Sequence, residues 1–407
     1  MRLKSGTPPW LCLLRWVVLG LAFAPAAVAE EWTFQALGDL PGGASRSGAL
    51  SVSPDGGTVV GFGTSAASGS EAFRWSAGGG LQGIGSLAGG SFDSDAFDAS
   101  GIGAFIVGSS SSQTSGGSSR EAFLWSADTE SMTGLGDLAG GGTRSAAYAI
   151  APDGSMVVGS SSSSTTGTGR DQAFRWSEGE GMVALPFLLG AAANSEAYGV
   201  STDGAVIVGA AASTFSGANA TESVRWTASG GIQGLGDLPG GQYNGWANAV
   251  SGDGLVIVGA SSSAASGSNN VEAFRWTSTT GFEALGDLPG GSYSSEALAA
   301  SADGDWIVGT SEGVDSTTAF LWDADLGLRA VSDILEQDGV DMTGWQLTEA
   351  TGISAGGSVI CGTGINPQSF EEAWVAILVP EPGSFLLGVA ALLTLVFCVP
   401  RRHRSQA

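Results

Sequence analysis

A set of phrases recurs about every fifty residues along this 407-residue chain, and that period constrains the fold more than any single motif. One phrase ends in glycine: TVVG at Gly61, FIVG at Gly108, MVVG at Gly159, VIVG at Gly209 and Gly259, WIVG at Gly309, VICG at Gly362. A second carries tryptophan: EAFRW at Trp75 and Trp276, EAFLW at Trp125, QAFRW at Trp176, ESVRW at Trp226, TAFLW at Trp322, and EEAWV around Trp374. The third is LGDL or a near copy, ending at Leu40, Leu87, Leu138, Leu188, Leu238 and Leu288, with a degenerate version over Leu328 to Leu335. Periods of this length belong to solenoids, propellers and similar arrays, so division into two or three unrelated domains is set aside.

Each unit reads as four short strands with no long helical period between them. In the fifth, Ala247 to Ser251 is followed by Gly252-Asp253-Gly254 and then by Leu255 to Gly259, whose glycine reads as a small-residue stop. Asp-Gly between two apolar runs is a strong hairpin signal, because glycine takes a positive φ at no steric cost. Asp55, Asp153, Asp203 and Asp303 precede glycine at the same place in their units. The third strand sets Phe274 and Trp276 on one face by its two-residue period, and LGDL is the fourth. Four antiparallel strands per unit make a propeller blade. The seventh tryptophan strand has no LGDL after it, whereas Trp32 to Leu40 precedes the first hairpin. The expectation is an all-β, seven-bladed propeller in which 32–40 completes the last blade beside Glu372 to Leu378. Such a closure removes the sheet edge that invites aggregation. An open solenoid is the alternative. On this reading LGDLPGG is turn chemistry: its glycines permit the bend inward to the next blade, and its proline stops the strand.

Composition narrows the function. Lys4 is the only lysine, His403 the only histidine, and the formal net charge is −24. So acidic a chain is not suited to neutralising nucleic-acid phosphates. With no histidine or lysine between the terminal segments, catalysis by Ser-His-Asp, Cys-His or lysine nucleophiles is not expected there, nor zinc held by a Cys/His cluster. Paired carboxylates remain; Asp93 with Asp95 and Glu296 with Asp303 are candidates for a glycosidase-like site, weighed against a solvated acidic surface. No EF-hand or G-G-x-G-x-D calcium repeat occurs. No cofactor and no enzymatic activity are expected.

Both ends read as targeting segments. Arg2 and Lys4 precede an apolar run from Trp10 to Phe23, and Ala27-Val28-Ala29 is a small-x-small cleavage signature. Residues 1–29 are therefore expected to be a secretory signal cut after Ala29, with a retained anchor as the alternative. Cys12 and Cys398 fall in the terminal segments, which leaves Cys361 as a buried small hydrophobe. Residues 379–407 hold Val379-Pro380-Glu381-Pro382, an apolar stretch from Phe385 to Val399, and Arg401, Arg402 and Arg404. This order resembles the PEP-CTERM sorting signal of exopolysaccharide-producing Gram-negative bacteria. The resemblance implies signal peptidase and exosortase as processing partners, transient inner-membrane anchoring through a transmembrane helix, and delivery to the cell surface or extracellular matrix. A plain C-terminal anchor is the alternative.

Across 30–378 the EAFRW and GLGDLPGG phrases resemble the HAF family of extracellular repeat proteins. Units two, four and seven depart from the pattern at Gly101-Ile102-Gly103, Leu185-Pro186-Phe187-Leu188 and Ala355-Gly356-Gly357. The resemblance implies an exported repeat protein, so the functional expectation is a non-enzymatic surface or matrix scaffold. A lectin-like polysaccharide-binding propeller and a polysaccharide-cleaving enzyme are the alternatives. Partners would be exopolysaccharide or surface proteins, met on the side of the ring carrying the long loops after VVG and LGDL. Phe92, Tyr243, Trp246 and Tyr293 lie in or beside the LGDL loops and are the candidate sugar-stacking aromatics.

Overall fold

A computed structural model describes residues 30–380, apart from 68, 116–118, 167–168, 216–219, 268–269 and 315. The expected signal with its cut after Ala29, Glu381, Pro382, the apolar stretch 385–399, Arg401, Arg402 and Arg404 lie outside the described residues. Val379 and Pro380 end the last strand, Glu371–Pro380. Among the described residues no helix is long and apolar enough to cross a membrane.

Glu31–Val379 forms one unit of seven four-stranded antiparallel sheets. It is a seven-bladed β-propeller. Blade five shows the plan: inner strand Gly245–Val250, then Val256–Ser261, Glu272–Thr277 and outer Gly281–Gly286. The inner strands of the other blades are Gly42–Val52, Ser94–Ala99, Ser145–Ile150, Ser195–Val200, Ser295–Ala300 and Gln346–Ile353. Each touches the next around the ring, and Gly42–Val52 also touches Gln346–Ile353. In the seventh sheet the order from the outside is Glu30–Ala36, Glu371–Pro380, Val359–Ile365, Gln346–Ile353. Leu37 N–H donates to Ala373 O at 2.9 Å and Thr33 Oγ1 to Ile377 O at 3.1 Å.

The repeated phrases account for the packing between blades. Phe274 and Trp276 pack with Ile257 and Ala247 of their own blade and with Val208 and Leu238 of blade four. Their equivalents Phe73, Phe123, Phe174 and Phe320 are fully buried. Burying side chains of this size contributes roughly 1.5–3 kcal/mol each. The arginine between them reaches forward: Arg74 lies 4.9 Å over the Trp125 ring and Arg225 5.0 Å over Trp276, each spanning to the next blade. Blade seven departs from the expected alignment. Trp374 pairs with Gly362 as Phe274 pairs with Gly259, so it stands at the phenylalanine position, while Ala376 stands at the tryptophan position. Trp32 joins the same core.

A serine at the head of most inner strands fastens neighbouring blades. Ser145 Oγ accepts from Ala122 N–H at 3.0 Å and donates to Gly136 O at 2.7 Å; Ser94, Ser295 and Ser47 repeat the pattern. Blade five has Gly245 in that place, and the facing residue, alanine elsewhere, is Ser223. The Ser223 hydroxyl lies 3.2 Å from where a Cβ on Gly245 would be. There it makes no hydrogen bond among the described residues.

Three expectations need correction. The VVG glycines do not stop their strands, since Val256–Ser261 runs through Gly259. They answer a β-bulge in the inner strand, where the register shifts between Ala247 and Ala249 and Trp246 O comes within 2.0 Å of the place a Gly259 Cβ would occupy. The turn is longer than the expected Gly252-Asp253-Gly254: Ser251 to Leu255 lie between the strands, Gly254 has φ 75°, and Asp253 Oδ1 accepts from Leu255 N–H. Finally, 328–335 is not one outer strand. Gly327–Ala330 is, and helix Val331–Gln337 follows, burying Val331, Ile334 and Leu335.

Candidate functional site at the mouth of the central channel

Alternation along the inner strands decides what faces the axis. Leu50, Phe97, Tyr148, Tyr198, Asn248, Leu298 and Thr351, one per blade, line a cavity of about 380 Å³. Below them the wall is apolar, with Val52, Ile150, Val200, Val250 and Ile353 among its residues. The floor is made by the turns, which hydrogen-bond from blade to blade. Gly101 N–H donates to Pro152 O, Thr202 to Gly252 O, Gly252 to Ala302 O, Ala302 to Ala355 O, and Ala355 to Pro54 O, all at 2.7–3.0 Å.

The aromatics of three successive blades touch one another. Phe97 and Tyr148 have ring centroids 5.6 Å apart, and Tyr148 and Tyr198 5.4 Å, in tilted arrangements. One step nearer the mouth the same strands carry Asp95, Glu196, Trp246, Glu296 and Glu349. Tyr198 Oη donates to Glu196 Oε2 at 2.9 Å. Trp246 Nε1 and Asn248 Nδ2 both donate to Glu296 Oε1, at 2.6 and 2.8 Å, so blade five holds the carboxylate of blade six. Arg120 pairs with Asp95 at 2.5 Å and Arg144 with Asp171 at 2.6 Å. Burial raises the Glu196 carboxyl above the usual carboxylate range, and Asp171 adds to the shift. Glu349 is raised by partial desolvation and by the like charges of Glu371 and Glu296. The Tyr148 phenol is pushed up to about 12, by burial first and the Glu196 charge second. A ring that stays neutral, above it a rim in which Asp95, Asp171, Glu196, Glu296 and Glu349 outnumber Arg120 and Arg144, both of them ion-paired: the chemistry suits a ligand that is apolar in body and cationic or hydrogen-donating at its outer end.

The residues singled out from sequence do not gather in one place. Trp246 stands at this mouth, tied to Glu296. Tyr243, on the connection from blade four to five, stacks on Phe215 at 5.4 Å. Tyr293, on the next connection, is 36% exposed and donates to Glu272 Oε1 at 2.7 Å. Phe92 is half-buried on the connection from blade one to two. Of the carboxylate pairs, Asp93 and Asp95 share Arg120, at 3.8 and 2.5 Å. Glu296 and Asp303 are split between the mouth and the turn side, where Asp303 accepts from Ser301 Oγ. Cys361 is buried and free, its thiol pushed up to about 12 by burial.

Phe97, Tyr148, Tyr198 and Asn248 were not among the sequence candidates, though a signal exists. They lie three places before the turn residue (Ser100, Ala151, Ser201, Ser251), an offset at which seven units show Leu, Phe, Tyr, Tyr, Asn, Leu and Thr. A site that varies freely between nearly constant flanks is one the scaffold does not specify.

No family model matches the chain, and no curated protein does. Among solved structures it is similar to TolB from Acinetobacter baumannii, at 12% identity over 68% of this chain and 63% of that one, TM-score 0.44. It is also similar to an oligogalacturonate lyase from Vibrio parahaemolyticus, at 8% identity over 87% and 99%, TM-score 0.46. A third is the Pyrococcus horikoshii acylaminoacyl peptidase, at 10% identity over 78% and 48%, TM-score 0.46. The chain thus spans less than two thirds of the TolB and about half of the peptidase. What those proteins bind or cleave is not carried over.

Proposed function

We propose that this chain is an exported, non-enzymatic HAF-type propeller. Sorted through Val379-Pro380-Glu381-Pro382 to the cell surface or exopolysaccharide matrix, it acts there as an interaction scaffold through its loop face. The observation that carries the reading is a rim of exposed apolar side chains on loops from the connection into blade four round to blade six. Leu189 is 96% exposed, Phe215 72% and Val314 76%; Tyr243 stands beside Phe215, and Tyr293 lies on the connection into blade six. Ile102, Leu255 and Leu326 are exposed on the turn side as well, but the loop side adds a ring pair, Phe215 with Tyr243, and an exposed apolar cluster marks a contact surface. Their loops come from separate repeats whose scaffold positions are otherwise near copies, so the rim is not a by-product of packing.

The test is retention in an exopolysaccharide-producing host. Wild-type protein is expected in the surface or matrix fraction. A Leu189→Ser/Phe215→Ser/Val314→Ser variant with unchanged melting temperature is expected to be released to the medium. Equal retention of the two would refute the loop-face contact, and recovery in the cytoplasm would refute export.

The stacked Phe215–Tyr243 pair and the Tyr293–Glu272 hydrogen bond favour a second, lectin-like reading, in which ring faces fixed at the loop surface take sugar rings. Failure to bind any member of a glycan array, the host's polysaccharide included, counts against it.

A further inference from the structure

The axial cup is separate from the loop rim and has a chemistry of its own. We infer that it is a binding site for a small alkylated ammonium ion, with the ammonium against the Phe97–Tyr148–Tyr198 arc beneath Glu196 and Glu296, and its apolar body toward Ile150 and Val200.

Four observations lead there. The cavity, about 380 Å³, lies at the small end of the range for ligand sites, roughly 300–1,000 Å³. The rings of Phe97, Tyr148 and Tyr198 stand on successive blades, and Tyr148 and Tyr198 are kept neutral by burial and nearby carboxylates. Aromatic faces attract a cation that lies within about 6 Å of the ring centroid, and the attraction strengthens when water is excluded. Above the rings, Glu196 Oε1 and Glu296 Oε2 make no hydrogen bond among the described residues, although the other oxygen of each is fixed by Tyr198 or by Trp246 and Asn248. Two half-used carboxylates on opposite sides of Trp246 can share a positive charge without taking hydrogen bonds from it. The deeper wall is mostly valine, isoleucine and alanine; Asp98 and Ser51 line it too but are bonded to each other and Asp98 to Ile150 N–H, so few free groups remain to satisfy sugar hydroxyls. A ligand rich in hydroxyls would leave them unpaired there, whereas methyl-bearing ammonium heads and short alkyl chains would not. The chain's net charge of −24 also draws cations and repels anions.

Isothermal titration of the full-length protein with three ligands of one shape tests this. Choline carries the ammonium, 3,3-dimethylbutan-1-ol replaces its nitrogen with carbon, and 3,3-dimethylbutanoate reverses the charge. Choline is expected to bind at least tenfold tighter than the alcohol, the carboxylate not at all, and added salt to weaken only choline. Tyr148→Leu and Tyr198→Leu keep the wall filled. Each should lower choline affinity at least fivefold while leaving the alcohol unchanged, and Glu296→Gln should do the same. Equal affinity for choline and the alcohol would overturn the proposal without need of any variant. So would preference for the carboxylate, absence of choline binding, or leucine variants that bind choline as well as the wild type.

Discussion

Asp98 occupies a position at which the other inner strands carry Ser51, Ala149, Gly199, Ala249, Ala299 and Gly352. Small residues are needed there because the neighbouring inner strand is close: a Cβ on Gly352 would stand 2.9 Å from Val52 N. The carboxylate fits by bridging three blades, accepting from Ser51 Oγ of blade one at 2.8 Å and from Ile150 N–H of blade three at 2.9 Å. Burial outweighs those bonds and raises its pKa from 3.8 to about 6. Well below pH 4 the group is protonated whether the chain is folded or not. Between about 4 and 6 the folded chain keeps a proton that the unfolded chain releases. The contribution to stability is therefore complete at the acid end and is lost as pH rises through about 6. At 1.36 kcal/mol per pKa unit it amounts to about 3 kcal/mol. Asp98→Asn removes the titration, so the difference in unfolding free energy between variant and wild type should change by about that much from pH 4 to pH 7. A pH-independent difference in urea melts would show that Asp98 titrates normally.

At the scale of the element, the VVG glycine couples two strands. Gly61, Gly108, Gly159, Gly209, Gly259, Gly309 and Gly362 each face an inner-strand carbonyl about 2 Å from where their Cβ would sit. Gly259→Ala must push the bulge off Trp246 O or break it, and a forced methyl in a packed site costs about 1–3 kcal/mol. Gly179→Ala, where a Cβ meets nothing within 4 Å, is expected to stay within about 0.5 kcal/mol of wild type. Urea unfolding of the pair separates crowding from the general cost of replacing glycine. The glycine's place in the repeat was legible in the sequence, but its purpose was not, because the group that forbids a side chain is a backbone carbonyl of another strand. Helix Val331–Gln337 was missed for a different reason. Its buried Val331, Ile334 and Leu335 have helical spacing, but two turns are too short to stand out against a repeat that supplies a strand there six other times. Strand count and blade order were readable because Phe-x-Trp and Asp-Gly are scaffold residues that the fold requires in nearly every copy. The channel residues were not, because the ring closes whatever they are; Trp246 was found only as a loop aromatic.

For the whole molecule, the question is what keeps seven similar sheets from splaying at one seam. On the turn side, Ala355 N–H donates to Pro54 O across the junction of last and first blades. Pro152 has no N–H to offer blade four, and among the described residues no backbone bond joins those two turns, whereas past Pro54 the Asp55 N–H donates to Gly101 O at 3.1 Å. At the rim, Glu30–Ala36 lies beside Glu371–Pro380, Gly38 N–H donates to Glu372 Oε1 at 3.0 Å, and Trp32 is buried with Trp374 and Leu347. The two fastenings differ in kind: the turn bond joins chain ends through backbone alone, whereas the rim strand also covers a sheet edge and fills a core. Trp32→Ala removes only the core contribution and should lower stability by about 3–5 kcal/mol without changing the oligomeric state of the wild type. Deleting residues 30–36 removes the cover as well, leaving the N–H and C=O groups of Glu371–Pro380 open to another chain. The deletion variant is therefore expected to form larger species than Trp32→Ala at the same concentration, as read by light scattering after size exclusion. A deletion variant of the same size and stability as Trp32→Ala would mean that the rim strand acts only through its tryptophan and that the ring is held shut from the turn side.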